Sequence, residues 1–528
     1  MKSFTIHKDS IIGSNTGFWK AAGSDLLFWS ALRPEGQDLL NRMMKTGSCR
    51  YFRCHYTFSK RIEYNAQVGG EVYSEDEKGN PCYSFEKINR VFEEYLKHGI
   101  KPIVECDYLP DELNIEKVSG YLDEGLANST KGPNNWEKWY NLIKNFVKNL
   151  IDRFGAEEVR SWYFEVWNEP DNFPIEELST FFKMYDVFVD AVTSIDNQLK
   201  VGGPACFTPA FLTHFLNHVA NGTNYVTGKT GTRIDFISYH IYGMSGKWIG
   251  EYPLVQPTVQ RFIHEILWVQ RIIKRFPRLE NVEFHLNEWG VCSNFYLTSD
   301  EYPALEFRNS EFSALFLVKL VHSLYALCDI FKFPISVLLY WGFAYEAAGN
   351  RLFHGMRDLV TVGNIPKPIQ TAYEMLAMLG EHRLKVAGGK PGGNIGLLAT
   401  VTGDFEIQFI IYNFCELHEF NLKEHNDRIE DRDGAEEIEI IIENLPGGKY
   451  MEVTSYYMDS EHHNTYRIWQ NLGAPPFASN TNINILKESG ELKPNYFERV
   501  PINSGSAKLR FRLQGNSMRL YLGKAVYK

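Results

Sequence analysis

The sequence lacks the marks of several large protein classes. Its 8 cysteines, Cys49, Cys54, Cys82, Cys106, Cys206, Cys292, Cys328 and Cys415, include no C-x-x-C pair and are widely spread. That argues against a disulfide framework and against a zinc site. Several lie in apolar runs and read as buried free thiols, which points to a reducing compartment. There is no long basic run and the net charge is -10. Sequence-independent binding to nucleic acid is therefore not expected, and neutral or weakly charged ligands fit better. The opening residues MKSFTIHKDS contain no apolar core of a signal peptide. A cytoplasmic protein is expected, or a secreted or periplasmic one whose leader has been removed. The most apolar stretch, 312–333, is interrupted by Lys319, His322 and Asp329. It reads as a core helix, so no membrane partner is expected.

Cofactor motifs are missing as well. No G-x-G-x-x-G follows the first candidate strand, and there is no G-x-x-x-x-G-K-[ST] or G-x-S-x-G. His264-Glu265 lacks the second histidine of H-E-x-x-H, and His462-His463 sits in a polar stretch. No metal and no cofactor is expected.

What is present is an ordinary globular composition, 44% hydrophobic and 23% charged, over 528 residues. That length calls for two domains. Aromatic residues make up 14%; they can fill a large core, and some can serve as platforms for the C–H faces of sugars. From about residue 13 to 382, short apolar runs alternate with amphipathic segments. The candidate strands are 13–18, 49–54, 101–106, 160–167, 200–203, 234–240, 282–288 and 336–341. Helix-like segments follow at 34–47, 84–99, 136–154, 175–195, 208–221, 257–276, 308–329 and 366–381. Strict alternation of this kind predicts an α/β fold, a closed (β/α)8 TIM barrel, over 13–382. The glycine-rich stretch 383–396 reads as a connector. Beyond it, alternating runs at 397–402, 405–413, 436–443, 449–457 and 507–523 predict a C-terminal β-sandwich accessory domain within 383–528. The strand-like residues 1–12 fall outside the barrel count and are candidates to join that sandwich.

Chemistry in such a barrel sits at the C-terminal ends of the strands. The fourth candidate strand ends in WYFEVWNEPD (162–171) and the seventh in FHLNEWG (284–290). Each places a glutamate directly after an asparagine at the end of a buried run. A lone glutamate belongs on the surface. Two of them, Glu169 and Glu288, at strand ends facing one cleft, would shift each other's protonation and separate an acid from a base. Glycoside hydrolysis needs such a pair. A gap of about 5–5.5 Å gives retention of configuration, and one of about 6.5–9.5 Å gives inversion. Glu165 lies four residues before Glu169, on the same side of the strand but deeper, and reads as a structural ion-pair partner. Arg53 fits as a buried partner of a catalytic carboxylate.

Several segments bear a specific resemblance. AAGSDLLFWSALRPEGQDLL (21–40), YSFEKINRVFEEYLKHGIKPIVECDYLPDEL (83–113), SWYFEVWNEPD (161–171), DFISYHIYG (235–243) and IPKPIQTAYEMLAMLG (365–380) are similar to glycoside hydrolase family 39. This is the family of β-xylosidases and α-L-iduronidases. The resemblance covers almost the whole chain. It implies a retaining enzyme acting by double displacement, with Glu169 as acid/base and Glu288 as nucleophile. It also implies that Asn168 bonds the sugar 2-hydroxyl, that His240 and Tyr242 contact sugar and nucleophile, and that His55 binds sugar. Trp341 should line the floor, and Glu346 should replace a sugar-hydroxyl ligand. The expected function is an exo-acting β-xylosidase-like hydrolase of plant-derived oligosaccharides. The alternatives are an arabinosidase, glucosidase or uronidase of the same clan, or a silent carbohydrate-binding relative. Two departures stand out. Tyr56 occupies the place where the family usually has glycine after His55, and YWGFAYEAAGN (340–350) matches only in part.

Overall fold

The computed structural model describes residues 1–25, 31–60, 62–63, 66–67, 69–115, 130–243, 248–249, 252–253, 257–293, 297–343, 351–389, 393–403, 406–414, 416, 434–445, 447–477 and 479–526. Eight parallel strands close into a barrel. In chain order they are Ala21–Ser24, Tyr51–Cys54, Lys101–Cys106, Tyr163–Val166, Lys200–Cys206, Phe236–Tyr242, Glu283–Gly290 and Ile335–Trp341. Closure is made by strand eight on strand one, with Leu339 opposite Ala21 and Trp341 opposite Gly23.

Strand one is therefore not 13–18. Its sequence, Ala-Ala-Gly-Ser, has neither the β-branched nor the aromatic residues that mark a strand. Its smallness has a packing reason. A Cβ on Gly23 would stand 2.3 Å from the ring of Trp341. Glycine lets that indole lie against the barrel wall, where it is 1% exposed.

The helices around the barrel follow the amphipathic segments closely. Pro34–Thr46 begins on a proline and ends on Gly47 at φ 63, the left-handed cap that glycine adopts without strain. Trp136–Phe154 is capped by the Asn135 side chain, which accepts from the Lys138 amide. Glu311–Phe331 is long and apolar enough to cross a membrane by composition. Here it is wedged between barrel and second domain, with Phe312 packed on Phe414 and His322 bonded to the Tyr412 hydroxyl.

The second domain is one nine-stranded mixed sheet. It takes in Lys2–Ser14, which runs between His382–Ala387 and Glu436–Glu443. Phe4, Ile440 and Leu509 from one side share a core with Leu397, Phe409 and Val453 from the other, so the sheet folds over as a sandwich. Two expectations need correction here. The stretch 383–396 is not simply a connector, because its first residues form a strand of the sheet. The run 507–523 is two strands, Ala507–Leu513 and Ser517–Val526, divided at a turn where Asn516 takes φ 48. This part also contains two helices, Thr465–Asn471 and Asn480–Ser489. They bury Tyr466, Trp469 and Leu486 against Leu352, Phe353 and Ile365, in the segment that follows barrel strand eight.

Candidate active site

The turn after strand four is held in an unusual backbone shape. Trp167 and Glu169 have φ of 68 and 48, and Ala205, near the end of strand five, has 54. Each costs about 1–2 kcal/mol for a side-chain-bearing residue. The cost is offset by bracing. The Glu169 amide donates to the Ala205 carbonyl at 3.0 Å. The Asp171 carboxylate accepts from the amides of Phe207 and Thr208 at 3.0 and 2.8 Å. Burial pushes the Asp171 carboxyl up to about 6. The two turns are thus tied together, and Glu169 is presented at the mouth while the strand below stays closed.

Arg53, at the end of strand two, organises the floor. It is fully buried, with its guanidinium 5.2 Å over the Trp341 ring. Nε donates to Glu165 at 2.5 Å, Nη1 to Glu288 at 3.0 Å, and Nη2 to Asn168 at 2.9 Å. Nη2 also lies 3.1 Å from Glu105. One cation thus joins the ends of strands two, three, four and seven. Such a charge needs partners on every side, because burying an unpaired guanidinium would cost several kcal/mol. Glu165 takes further bonds from Ser238 at 2.9 Å and Asn287 at 2.8 Å, which is a structural role.

Glu169 and Glu288 face each other across His240. Its Nδ1 is 2.8 Å from Glu169 Oε1 and 3.5 Å from Glu288 Oε2. One oxygen of each carboxylate and a ring nitrogen all lie within 4.8 Å of one another. The two acids differ in surroundings. Glu288 is 5% exposed, and its oxygens meet Arg53 and the Tyr242 hydroxyl, the latter at 2.8 Å. Glu169 keeps 30% of its side chain exposed, yet the enclosing protein raises it to about 7, with His55, Arg53 and Arg357 pulling the other way. Burial lowers His240 to about 4, so the ring between the two acids is neutral near pH 7.

The remaining residues singled out by sequence fall around this pair. Asn168 accepts from Arg53 through Oδ1, which leaves its amide nitrogen as the donor. His55 reaches to 3.5 Å from Glu288 Oε1 with Nε2, and its ring packs 4.5 Å from Trp341. Trp341 donates to Asp25 at 3.2 Å. Tyr56 adopts φ 65, so the place of the family's glycine keeps a left-handed backbone although the residue is tyrosine. It is held there by Asp107, which accepts its amide at 2.9 Å. Glu346 and Tyr345 lie outside the described residues.

Four residues that sequence reasoning passed over complete the site: Asp25, Glu105, Asp107 and Arg357. Arg357 donates to the Tyr242 hydroxyl at 2.9 Å and faces Asp25 at 3.9 Å. It arrives there because Gly342, at φ 150, allows the Arg357 backbone to approach strand eight; a Cβ would be 2.3 Å from the Arg357 carbonyl oxygen. Among the described residues two side-chain clusters have the spacing to hold an ion, Glu169–His240–Glu288 and His55–Glu105–Asp107. In both, carboxylate oxygens are already engaged by Arg53, Tyr242 or backbone amides, which is the pattern of an ion-pair network.

Comparison with known proteins agrees with this geometry. The model of glycosyl hydrolases family 39 matches residues 3–503. A β-xylosidase of Caldicellulosiruptor saccharolyticus is 25% identical over 93% of this chain and 91% of its own. An α-L-iduronidase of Mus musculus is 22% identical over 65% of this chain and 55% of its own. Among solved structures, a monomeric β-xylosidase from Caulobacter crescentus CB15 shares the fold with a TM-score of 0.81 at 21% identity, covering 99% of this chain and all of that one. A barrel whose fourth and seventh strands deliver two close carboxylates thus coincides with a family match over nearly the whole length, and the chain belongs to glycosyl hydrolases family 39.

Proposed function

We propose that this glycoside hydrolase is an exo-acting β-xylosidase that works by double displacement, with Glu169 as acid/base and Glu288 as nucleophile. The observation that carries the mechanism is the separation of the two carboxylates. One oxygen of each carboxylate lies within 4.8 Å of the other's, a close approach that accords with the roughly 5–5.5 Å between the carboxyl groups of retaining enzymes. In the first step Glu288 attacks the anomeric carbon while Glu169 gives its proton to the departing oxygen. In the second, Glu169 takes a proton from water, the water oxygen bonds to the anomeric carbon, and the bond to Glu288 breaks. The fixed donors around Glu288 and the raised affinity of Glu169 for its proton suit these roles.

The preference for xylose rests on the β-xylosidase relatives, which align over most of both chains. A uronide reading has one observation in its favour, the buried Arg357 beside the site. That guanidinium bonds Tyr242 and faces Asp25, so the local charge is balanced and a neutral glycone is the better fit. A panel of nitrophenyl glycosides of xylose, arabinose, glucose, galactose, fucose and glucuronic acid tests this. The β-xyloside is expected to give the highest kcat/KM. A clear preference for the glucuronide would replace xylosidase with uronidase and leave the mechanism intact.

Two further results are expected. Glu169 must be protonated to act as acid, and its raised pKa of about 7 keeps it so below that pH. Activity should therefore fall as pH rises through about 7, near tenfold per unit. The limb should vanish in Glu169→Ala assayed with a dinitrophenyl leaving group that needs no acid. Tyr242→Phe removes a donor to Glu288 and an acceptor for Arg357. A charge-assisted bond of this kind is worth about 1.5–3 kcal/mol, so kcat/KM should drop about 10–100-fold in steady-state kinetics.

A further inference from the structure

Strand three and the residue after it read Glu105-Cys106-Asp107, and both acids are fully buried. Strand two, its neighbour, and the residue after it read Arg53-Cys54-His55, and Arg53 sits in register opposite Ile103. An arginine, a histidine and two acids, each pair spaced by two residues, are thus brought together at the barrel mouth. The function described above uses Arg53 and His55 but neither acid. A carboxylate placed where no water reaches it has to be satisfied by something specific.

Glu105 is satisfied in a telling way. Its Oε2 lies 3.1 Å from Arg53 Nη2 and 3.0 Å from His55 Nδ1. The far sides of those same two groups converge on a single atom. Arg53 Nη1 is 3.0 Å, and His55 Nε2 is 3.5 Å, from Glu288 Oε1, with Asp25 Oδ1 at 3.5 Å from the same Nε2. Glu105, Arg53, Glu288 and His55 therefore form a closed ring. Asp107 fixes the backbone beside it, accepting the amides of Tyr56 and Thr57 at 2.9 and 3.0 Å. His55 packs against Trp341, with ring centroids 4.5 Å apart and planes tilted by 44°, and is held by Glu105 at Nδ1.

We propose that Glu105 is a positioning residue for the reaction: it holds Arg53 and His55 together so that both face the same oxygen of Glu288. A proton kept on Nδ1 by Glu105 sets the orientation of the ring and directs Nε2 to the nucleophile and the sugar. Glu105 itself neither touches substrate nor transfers a proton. This inference rests on the reading of Glu288 as nucleophile.

The experiment combines ring-nitrogen NMR on the intact enzyme labelled with 15N-histidine, His55 being assigned by the signal lost in His55→Gln, with kinetics of Glu105→Gln. In the wild type near pH 7, His55 is expected to carry a proton on Nδ1. In Glu105→Gln that signal should shift, and kcat/KM for a nitrophenyl β-xyloside should fall about 100-fold. A wild-type ring with its only proton on Nε2 would overturn the proposal, and that spectrum decides even if the variant does not fold. So would a Glu105→Gln enzyme within about threefold of wild type, or one that loses activity with the His55 signal unmoved, which is the mark of a merely structural residue. Labelling of the wild type by a 2-deoxy-2-fluoro-xyloside separates the two layers. A label on a residue other than Glu288 removes the mechanism, and a label on Glu288 with a silent Glu105→Gln removes this inference alone.

Discussion

Glu288→Gln is expected to lower turnover of a nitrophenyl β-xyloside by about 10⁵-fold while the protein stays folded. The substitution is isosteric. The amide oxygen can still accept from Arg53, so the cation is not stranded among the buried acids, and Glu165 and Glu105 continue to pair with it. What is lost is the anionic oxygen that bonds to the anomeric carbon. No neighbour can replace it, because Glu165 is buried behind Arg53, and Glu169 sits on the other side of His240. A rate within about tenfold of wild type would remove Glu288 from the role given to it.

Glu169→Ala has a different signature, which makes it the sharper test of configuration. Without the acid, substrates with poor leaving groups should be nearly inert, a loss of about 10²–10⁴-fold. Dinitrophenyl β-xyloside leaves unaided, so the glycosyl-enzyme on Glu288 still forms and then waits for a base that is no longer there. Sodium azide, which needs no base, should enter the space vacated by the glutamate. Its nitrogen bonds to the anomeric carbon as the bond to Glu288 breaks, and the rate should rise about 100-fold. The product is expected to be the β-xylosyl azide, identified by NMR. An α-azide would contradict two inversions at one carbon.

Much of this was legible in the sequence because the barrel repeats one physical signal. Eight amphipathic helices, each behind an apolar run, count the strands even where a strand is weak. Strand one escaped because Gly23 has to be small beneath Trp341 and its neighbours are alanines, and a propensity scale sees only a poor strand. The glutamate pair was legible because an acid at the end of a buried run is costly and so needs a reason. Glu105 carries that same signature at the end of PIVECD and could have been found by it. Asp25 and Arg357 could not. They lie on segments more than 300 residues apart in the chain, without periodicity, and only the closure of strand eight on strand one brings them to the same pocket. The split of 507–523 could have been found from Gly515-Asn516, a turn dipeptide between two strand-like runs.

The pairing of Lys2–Ser14 with His382–Ala387 has a consequence for how this protein is made. The strand leaves the ribosome well before its antiparallel neighbour, which follows roughly 370 residues later, about 20–70 s at ordinary rates of synthesis. Through that interval the barrel can fold while the leading segment keeps unpaired backbone groups on both edges, a template for stray pairing between nascent chains. The finished enzyme is in effect a sandwich with a barrel spliced into it, its two splice points lying side by side. Cutting the chain just before His382 therefore leaves the second domain without the strand that runs through its sheet. Trimming the first dozen residues would take out an internal strand of the sheet, and the loss would be felt at the opposite end of the polypeptide.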